Sequence, residues 1–218
     1  MNATPRLEAR RSLFLALALA IALPAPALAQ DVKRGEVLFT LCAQCHGKTG
    51  AGDSLSLAPS IGGLPAWFVT GQLHKFRNGG RGTHFDDISG MRMRPMSMWL
   101  KNDDDVANVA AYVASLPRTD TAPTLTGGNV ESGKQKFMPC VACHGVNGEG
   151  NQALSAPPLA GGSDWYQLAS LHKFKAGVRG TNPKDTTGML MRPMSMTLAD
   201  DQAILDVVAY ISTLAPAN

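Results

Sequence analysis

Hydrophobic residues recur at helical spacing in several short segments of the chain. Residues 31–41 carry Val32, Val37, Leu38 and Leu41 among polar residues, which is the pattern of a short amphipathic helix. No segment shows the alternation of apolar and polar residues that marks a half-buried strand. The pattern therefore predicts an all-α fold.

The first half of the chain contains two further predicted helices with an irregular stretch between them. Residues 65–78 carry apolar side chains on one face of a helix, whereas residues 79–100 are rich in Met and are expected to be irregular. A last helix is predicted from Asp103 to Leu116, because acidic residues fill its first turn and Pro117 follows it. We predict the same order of elements in the second half, where the last helix runs from Asp200 to Leu214.

The second half of the chain repeats the first half at a constant offset of 98 residues, with no gap. We therefore predict two similar domains, residues 30–117 and 129–218, joined by a linker over 118–128 that is rich in Pro, Thr and Gly. A domain of about 90 residues has a small core and usually needs an additional constraint, such as a covalently bound group. The matching segments include 73–76 with 171–174, 81–83 with 179–181 and 90–98 with 188–196.

Residues 1–29 have the features of a secretory signal peptide. Three arginines precede an apolar run, which ends in the small-residue sequence Ala27-Leu28-Ala29. The run is shorter than the ~20 apolar residues of a membrane span, so we favour a cleaved signal peptide over an uncleaved anchor. The sequence therefore predicts export to the periplasm and leaves membrane association open.

Removal of residues 1–29 leaves a nearly neutral chain. The Lys and Arg total falls from 20 to 17 and the Asp and Glu total from 17 to 16, which gives a formal net charge of +1. Because the chain carries no basic stripe, no nucleic-acid partner is expected. No other segment is apolar enough to predict a transmembrane span in the mature chain.

All four cysteines belong to two C-x-x-C-H sequences, one in each half of the chain. Two thiols three residues apart on a helical turn can add to the two vinyl groups of one porphyrin, and the adjacent His can bind its iron. A zinc site, disulfides or a redox-active dithiol would not account for the His or for the Met-rich segments. We therefore predict two haem c groups. The predicted residues are Cys42, Cys45 and His46 in the first domain and Cys140, Cys143 and His144 in the second.

A methionine cluster before the last helix of each domain offers a second axial ligand. His/Met ligation raises the reduction potential of a haem, and a closed sixth position prevents chemistry at the iron. Met93 and Met191 each lie 47 residues after the predicted haem His. We predict these two as ligands, with Met96 and Met194 as alternatives, and expect the other methionines to fill space in the core.

These motifs together resemble the dihaem class I cytochromes c of the cytochrome c4 type, over nearly all of the mature chain. The resemblance rests on the two C-x-x-C-H units, a Pro-rich loop before Leu-Ala-Gly at 157–161, and a Met-x-x-Met element at 191–194. That element leads into a Leu-x-Asp helix at 198–200, which ends in Ala-Tyr. The resemblance implies that the first methionine of each pair is the ligand.

The resemblance also implies how each domain is built. The first and last helices are expected to cross where a small residue meets an aromatic one. A proline carbonyl is expected to accept the Nδ1–H of the haem His and so to orient the imidazole. The residues at these positions are Gly35, Tyr112 and Pro59 in the first domain and Gly133, Tyr210 and Pro157 in the second.

The function implied by the resemblance is single-electron transfer, with the two haems facing one another across the domain interface. The expected partners are a quinol-oxidising complex, a terminal oxidase or a periplasmic dehydrogenase, and the chain is either a free carrier or a fixed subunit. A dihaem peroxidase or a gas sensor would need an open or displaceable iron. The methionines in both clusters argue against such an enzyme or sensor.

Overall fold

The computed structural model describes residues 30–216, so the predicted signal peptide at 1–29 lies outside the described residues. Among the described residues the regular structure is helical, with two isolated bridges and no strand, which confirms the predicted all-α class. No helix in this part of the chain has the length and hydropathy required to cross a membrane. The helices are α1 Val32–His46, α2 Ala66–Arg77, α3 Ile88–Met98, α4 Asp103–Ser115, α5 Val130–His144, α6 Asp164–Lys175, α7 Thr186–Met196 and α8 Asp201–Ile211.

The first and last helices of each domain cross at a glycine, as the resemblance implied. A Cβ atom on Gly35 would lie 2.1 Å from the carbonyl oxygen of Asn108, and one on Gly133 would lie 1.9 Å from that of Asp206. Only a residue without a side chain lets the backbones of α1 and α4, or of α5 and α8, approach so closely. The aromatic neighbours of the two crossings are Tyr112 and Tyr210.

Each domain buries its own apolar cluster between these crossed helices. In the first domain Phe39 on α1 packs with Val106 on α4, and in the second Phe137 on α5 packs with Ile204 on α8. The ring of each phenylalanine also contacts the tyrosine of the crossing, at centroid distances of 5.2 and 5.4 Å. The two cores are equivalent, as the internal repeat predicts.

Side-chain caps explain where the last helices begin. The side chain of Asn102 accepts a hydrogen bond from the backbone N–H of Asp105, and Asp200 caps α8 in the same way. Acidic residues in the first turn of α4 add a favourable interaction with the helix dipole. The helix of the second domain ends at Ile211, three residues before the predicted end at Leu214.

The prediction that residues 79–100 are irregular is wrong, because they contain α3. Asp87 caps this helix by accepting a hydrogen bond from Gly90 N at 3.2 Å, and α7 begins in the same way. Pro95 lies inside α3, where proline disfavours a helix because it removes a backbone donor. The methionines of α3 also lack the periodic apolar stripe on which the sequence prediction relied.

The segment between the domains is fastened to the second domain. The buried carboxylate of Asp164 at the start of α6 accepts hydrogen bonds from the backbone N–H groups of Thr124 and Leu125, at 2.5 and 2.7 Å. Arg118 donates from Nη2 to the carbonyl oxygen of Ala160 at 2.8 Å. The linker therefore follows a fixed path over the second domain.

Candidate haem sites

The two C-x-x-C-H sequences occupy the last turns of α1 and α5. Residues three apart share one face of a helix, so each pair of thiols is presented on the same side. In the second domain Cys140, Cys143 and His144 line one large cavity. In the first domain Cys42 packs beside the core, whereas Cys45 is exposed. All four of these thiols are free.

The histidine that ends each of these helices is buried and oriented by a proline carbonyl. Nδ1 of His46 lies 2.8 Å from the carbonyl oxygen of Pro59, and Nδ1 of His144 lies 2.8 Å from that of Pro157. A carbonyl oxygen only accepts, so Nδ1 carries the proton and the lone pair of Nε2 remains free to bind a metal. Burial lowers the pKa of both histidines, although the hydrogen bond to proline opposes this. These contacts agree with the predicted orientation of the imidazoles.

The environment of the thiols does not favour the zinc or dithiol alternatives. Burial raises the pKa of the Cys42 thiol to about 11 and also raises that of Cys140, so the reactive thiolate form is disfavoured. Within residues 30–216, no three His, Cys, Asp or Glu side chains form a group that could hold a metal ion. The thiols therefore lack the grouped ligands that a zinc site requires.

The predicted axial methionines lie on α3 and α7. In the first domain Met93 is partly buried and packs against the core, whereas Met96 is 38% exposed. In the second domain Met191 and Met194 both line the cavity that contains His144. The packing therefore favours Met93 over Met96, while both candidates of the second domain face the same space.

Arg81, which is buried, and Arg179, which is partly buried, each offer an unpaired donor. The side chain of Arg81 is stacked 4.4 Å over the ring of Phe76, and that of Arg179 lies 4.2 Å over Phe174. The Nε atoms of both arginines are buried without a hydrogen-bond partner. Burial lowers the pKa of Arg179 to about 10, and the charge of Arg81 adds to this. Buried guanidinium groups with unused N–H groups are suited to bind carboxylates, such as the propionates of a haem.

Tyr166 is a residue of this region that the sequence analysis did not single out. Its hydroxyl lies 3.4 Å from Nη2 of Arg81, across the domain boundary. Burial opposes its ionisation, but the charges of Arg81 and Arg179 outweigh this and lower the pKa of Tyr166 to about 7. The equivalent position of the first domain holds Phe68, so a break in the repeat was the signal that could have revealed it.

The residues present therefore fit a haem in each domain: paired free thiols, a buried histidine with a free Nε2, a methionine-bearing helix and an arginine with a buried, unpaired Nε. The family model of cytochrome c matches residues 32–117 and 130–215. The chain belongs to the cytochrome c family. Two such domains imply two covalently bound haem c groups, as the sequence predicted.

Two known relatives are similar to this chain over most of its length. The chain is 32% identical over 183 residues to the thiosulfate dehydrogenase electron acceptor of Stutzerimonas stutzeri strain A1501. The aligned region covers 79% of this chain and 78% of that protein. It is 31% identical over 199 residues to cytochrome c4 of Azotobacter vinelandii, and this aligned region covers 85% of this chain and 90% of that protein.

The fold matches the crystal structure of reduced cytochrome c4 from Pseudomonas stutzeri with a TM-score of 0.66 and a sequence identity of 24%. The superposed region covers 85% of this chain and all of the chain in that structure. This cytochrome is therefore a dihaem class I protein with an electron-transfer role, similar to cytochrome c4.

Proposed function

We propose that this cytochrome carries single electrons in the periplasm through two haems with His/Met ligation. The thiols of Cys42 and Cys45 attach one haem, with His46 and Met93 as its axial ligands. The second domain uses the equivalent set, Cys140, Cys143, His144 and Met191. When bound, each haem supplies one reversible electron at its iron.

The observation that carries this proposal is the pairing of a fixed histidine with a methionine-bearing helix. His144 and Met191 line the same cavity, and the Nδ1 contact with Pro157 holds the imidazole with Nε2 free. A second ligand from α7 would close the iron to external molecules. Closed sites in both domains favour a carrier over a peroxidase or a gas sensor.

The partners we propose are a quinol-oxidising complex, a terminal oxidase or a periplasmic dehydrogenase. The similarity to a thiosulfate dehydrogenase electron acceptor over most of both chains supports a dehydrogenase as the donor. Electron-transfer encounters are small and transient, so a free carrier would form only short-lived complexes. Mixing the oxidised protein with a thiosulfate dehydrogenase and thiosulfate should reduce both haems, whereas omission of the dehydrogenase should leave them oxidised.

Export and domain division form part of the same proposal. We propose that residues 1–29 are removed as a signal peptide, that residues 30–117 and 129–218 form the domains, and that 118–128 form the linker. Haem c would then be attached after translocation of the unfolded chain. The N-terminal sequence of the protein purified from the periplasm would test this, and a start at Gln30 is expected.

Visible spectra of the purified protein test the proposed ligation. We expect two c-type haems, a methionine–iron charge-transfer band in the oxidised protein, and no change when CO is added to the reduced protein. Binding of CO by one haem at neutral pH would mean an open or labile iron. That result would overturn the carrier proposal in favour of an enzyme or a sensor.

A further inference from the structure

Two equivalent lysines cross the domain interface in opposite directions. Nζ of Lys75 on α2 lies 2.6 Å from Oδ1 of Asp185, and Nζ of Lys173 on α6 lies 2.7 Å from Oδ1 of Asp87. Each member of one pair is 98 residues from its equivalent in the other. The pairs are therefore related by the same pseudo-symmetry as the domains.

Each lysine also contacts a hydroxyl in the first turn of the helix that it reaches. Lys173 donates to Oγ of Ser89 at 2.7 Å, and Lys75 donates to Oγ1 of Thr187. Asp87 and Asp185 are the N-caps of α3 and α7, so both contacts of each lysine fall on the start of one helix. These are the helices that carry the candidate axial methionines.

The aspartates depend on these contacts because they are shielded from water. Both are 1% exposed, and the lysine side chains that reach them are 12% and 21% exposed. Burial opposes ionisation of Asp87, but the hydrogen bond and charge of Lys173 outweigh it, so the pKa of Asp87 lies below its ordinary value. Arg81 also contributes a favourable charge at Asp87, but Lys173 is the cation that is hydrogen-bonded to it. A buried carboxylate that loses its paired cation is strongly destabilised.

The carboxylate of each cap packs closely against a glycine in the first turn of its helix. A Cβ atom on Gly90 would lie 2.0 Å from Oδ2 of Asp87, and the same distance separates a Cβ on Gly188 from Oδ2 of Asp185. The carboxylate thus fills the space beside the first turn of its helix. A carboxylate that left this position would remove both the cap and this packing contact from the start of α3 or α7.

We infer that Lys75 and Lys173 are positioning residues, each holding the methionine-bearing helix of the opposite domain. The inference rests on the proposed ligation by a methionine of α3 and α7, but not on which methionine binds. Met93 lies six residues after Asp87, less than two turns along α3, so a loosened cap reaches the ligand directly. Methionine ligation in one domain then depends on the docking of the other.

Imidazole competition and proton NMR test the inference haem by haem. The methyl signal of each axial methionine in the reduced protein is assigned by the alanine variant that removes it. The variants are Met93→Ala or Met96→Ala for the first domain and Met191→Ala or Met194→Ala for the second. In the oxidised Lys173→Gln variant, imidazole should displace methionine from the first-domain haem about tenfold more readily. The second-domain haem should change by less than about twofold. Lys75→Gln should give the mirror result.

Control variants separate this role from general docking. Lys184→Gln removes a lysine whose Nζ also crosses the interface, to the carbonyl oxygen of Asn78 at 3.1 Å. Lys184 precedes the cap Asp185 in the chain, but its side chain binds neither capping carboxylate, so the variant should leave both haems unchanged. Lys173→Arg keeps the charge and should restore most of the wild-type behaviour. Ser89→Ala should weaken the first-domain ligation in the same direction but less, and it replaces Lys173→Gln if that variant does not fold.

Each outcome decides the inference. A response in the domain that contains the mutated lysine, an equal response to Lys184→Gln, or no response at either haem would overturn it while leaving the proposed ligation intact. If the wild-type protein shows no methionine methyl signal, the proposed ligation itself is wrong, and the inference is overturned with it.

Discussion

Gly133 and Asp206 meet at the crossing of α5 and α8, where a Cβ on Gly133 would lie 1.9 Å from the carbonyl oxygen of Asp206. The contact sets how closely the two helices approach, and α5 also carries the haem-binding sequence at its end. The packing of the crossed helices therefore positions His144 relative to the rest of the domain.

Gly133→Ala should destabilise the protein by about 3 kcal/mol, because the added methyl group meets backbone that has no flexible side chain to move. Guanidinium unfolding of the wild-type and variant holoproteins would measure the difference. The matched control is Gly71→Ala in α2, where a Cβ would meet nothing within 4 Å. The equivalent residue of the second domain is Ala169, so this control should be neutral or stabilise by up to ~1 kcal/mol.

Asp206→Asn should lower the stability at pH 7 by about 1–3 kcal/mol. The buried carboxylate accepts hydrogen bonds from Asn129 N, Ser132 Oγ and Gln202 Nε2, at 2.9, 2.8 and 2.8 Å, and it pairs with Lys136. The replacement keeps the shape and copies Asn108, the equivalent residue of the first domain, which accepts from Asp31 N.

The same variant makes a prediction about acid. The hydrogen bond from Asn129, together with those from the neighbouring side chains, holds the pKa of Asp206 well below its ordinary value in the folded state. The unfolded value is about 3.9, so the stabilisation is complete above that pH and is lost as the pH falls towards the folded pKa. The gap between wild type and variant should therefore shrink below about pH 4. A constant gap from pH 7 to pH 2 would contradict the assignment.

Local sequence signals explain which parts of the fold could be predicted. The C-x-x-C-H sequences, the acidic first turn and following proline of the helix that begins at Asp103, and the internal repeat depend on neighbouring residues or on register alone. Helix α3 was missed because Pro95 and the scattered methionines hide its period, whereas its cap at Asp87 is completed by Lys173 from the other domain. Contacts between residues far apart in the chain produce no periodic pattern in the sequence, so they cannot be predicted from it.

The choice of axial methionine likewise cannot be made from the sequence alone. Met191 and Met194 are separated by one helical turn and line one cavity, so spacing along the chain cannot distinguish them. Arg81 and Arg179 occupy matching positions of the repeat, but residue type alone does not show which of their N–H groups lack a partner. Only the structure reveals that both Nε atoms are buried and free.

Met191→Ala should abolish methionine ligation of one haem, because its removal leaves the sixth position without the proposed ligand. One half of the methionine–iron charge-transfer band should disappear, and CO should bind one haem of the reduced variant. Met194→Ala, on the same helix, is the control and should keep the whole band. The opposite pattern would assign Met194 instead, and the Met93→Ala and Met96→Ala pair would answer the question for the first domain.

Asp164→Ala should release the linker from the second domain. The carboxylate accepts from Thr124 N, Thr124 Oγ1 and Leu125 N, and these charge-assisted hydrogen bonds hold the chain close to α6. Arg118 lies at the start of this segment, so trypsin provides a site-specific probe. Loss of the anchor should accelerate cleavage at Arg118 about tenfold or more, because proteolysis follows the population of the locally open chain.

Mass analysis of the first tryptic fragments would identify that cleavage. Asp104→Ala is the matched control, since Asp104 also lies in the first turn of a helix but is exposed and makes no hydrogen bond to residues 118–128. It should be cleaved at the wild-type rate. Equal rates for the two variants would mean that Arg118, bound to the carbonyl oxygen of Ala160, fastens the segment without Asp164. The result therefore tells which of the two contacts fixes the path between the haem domains.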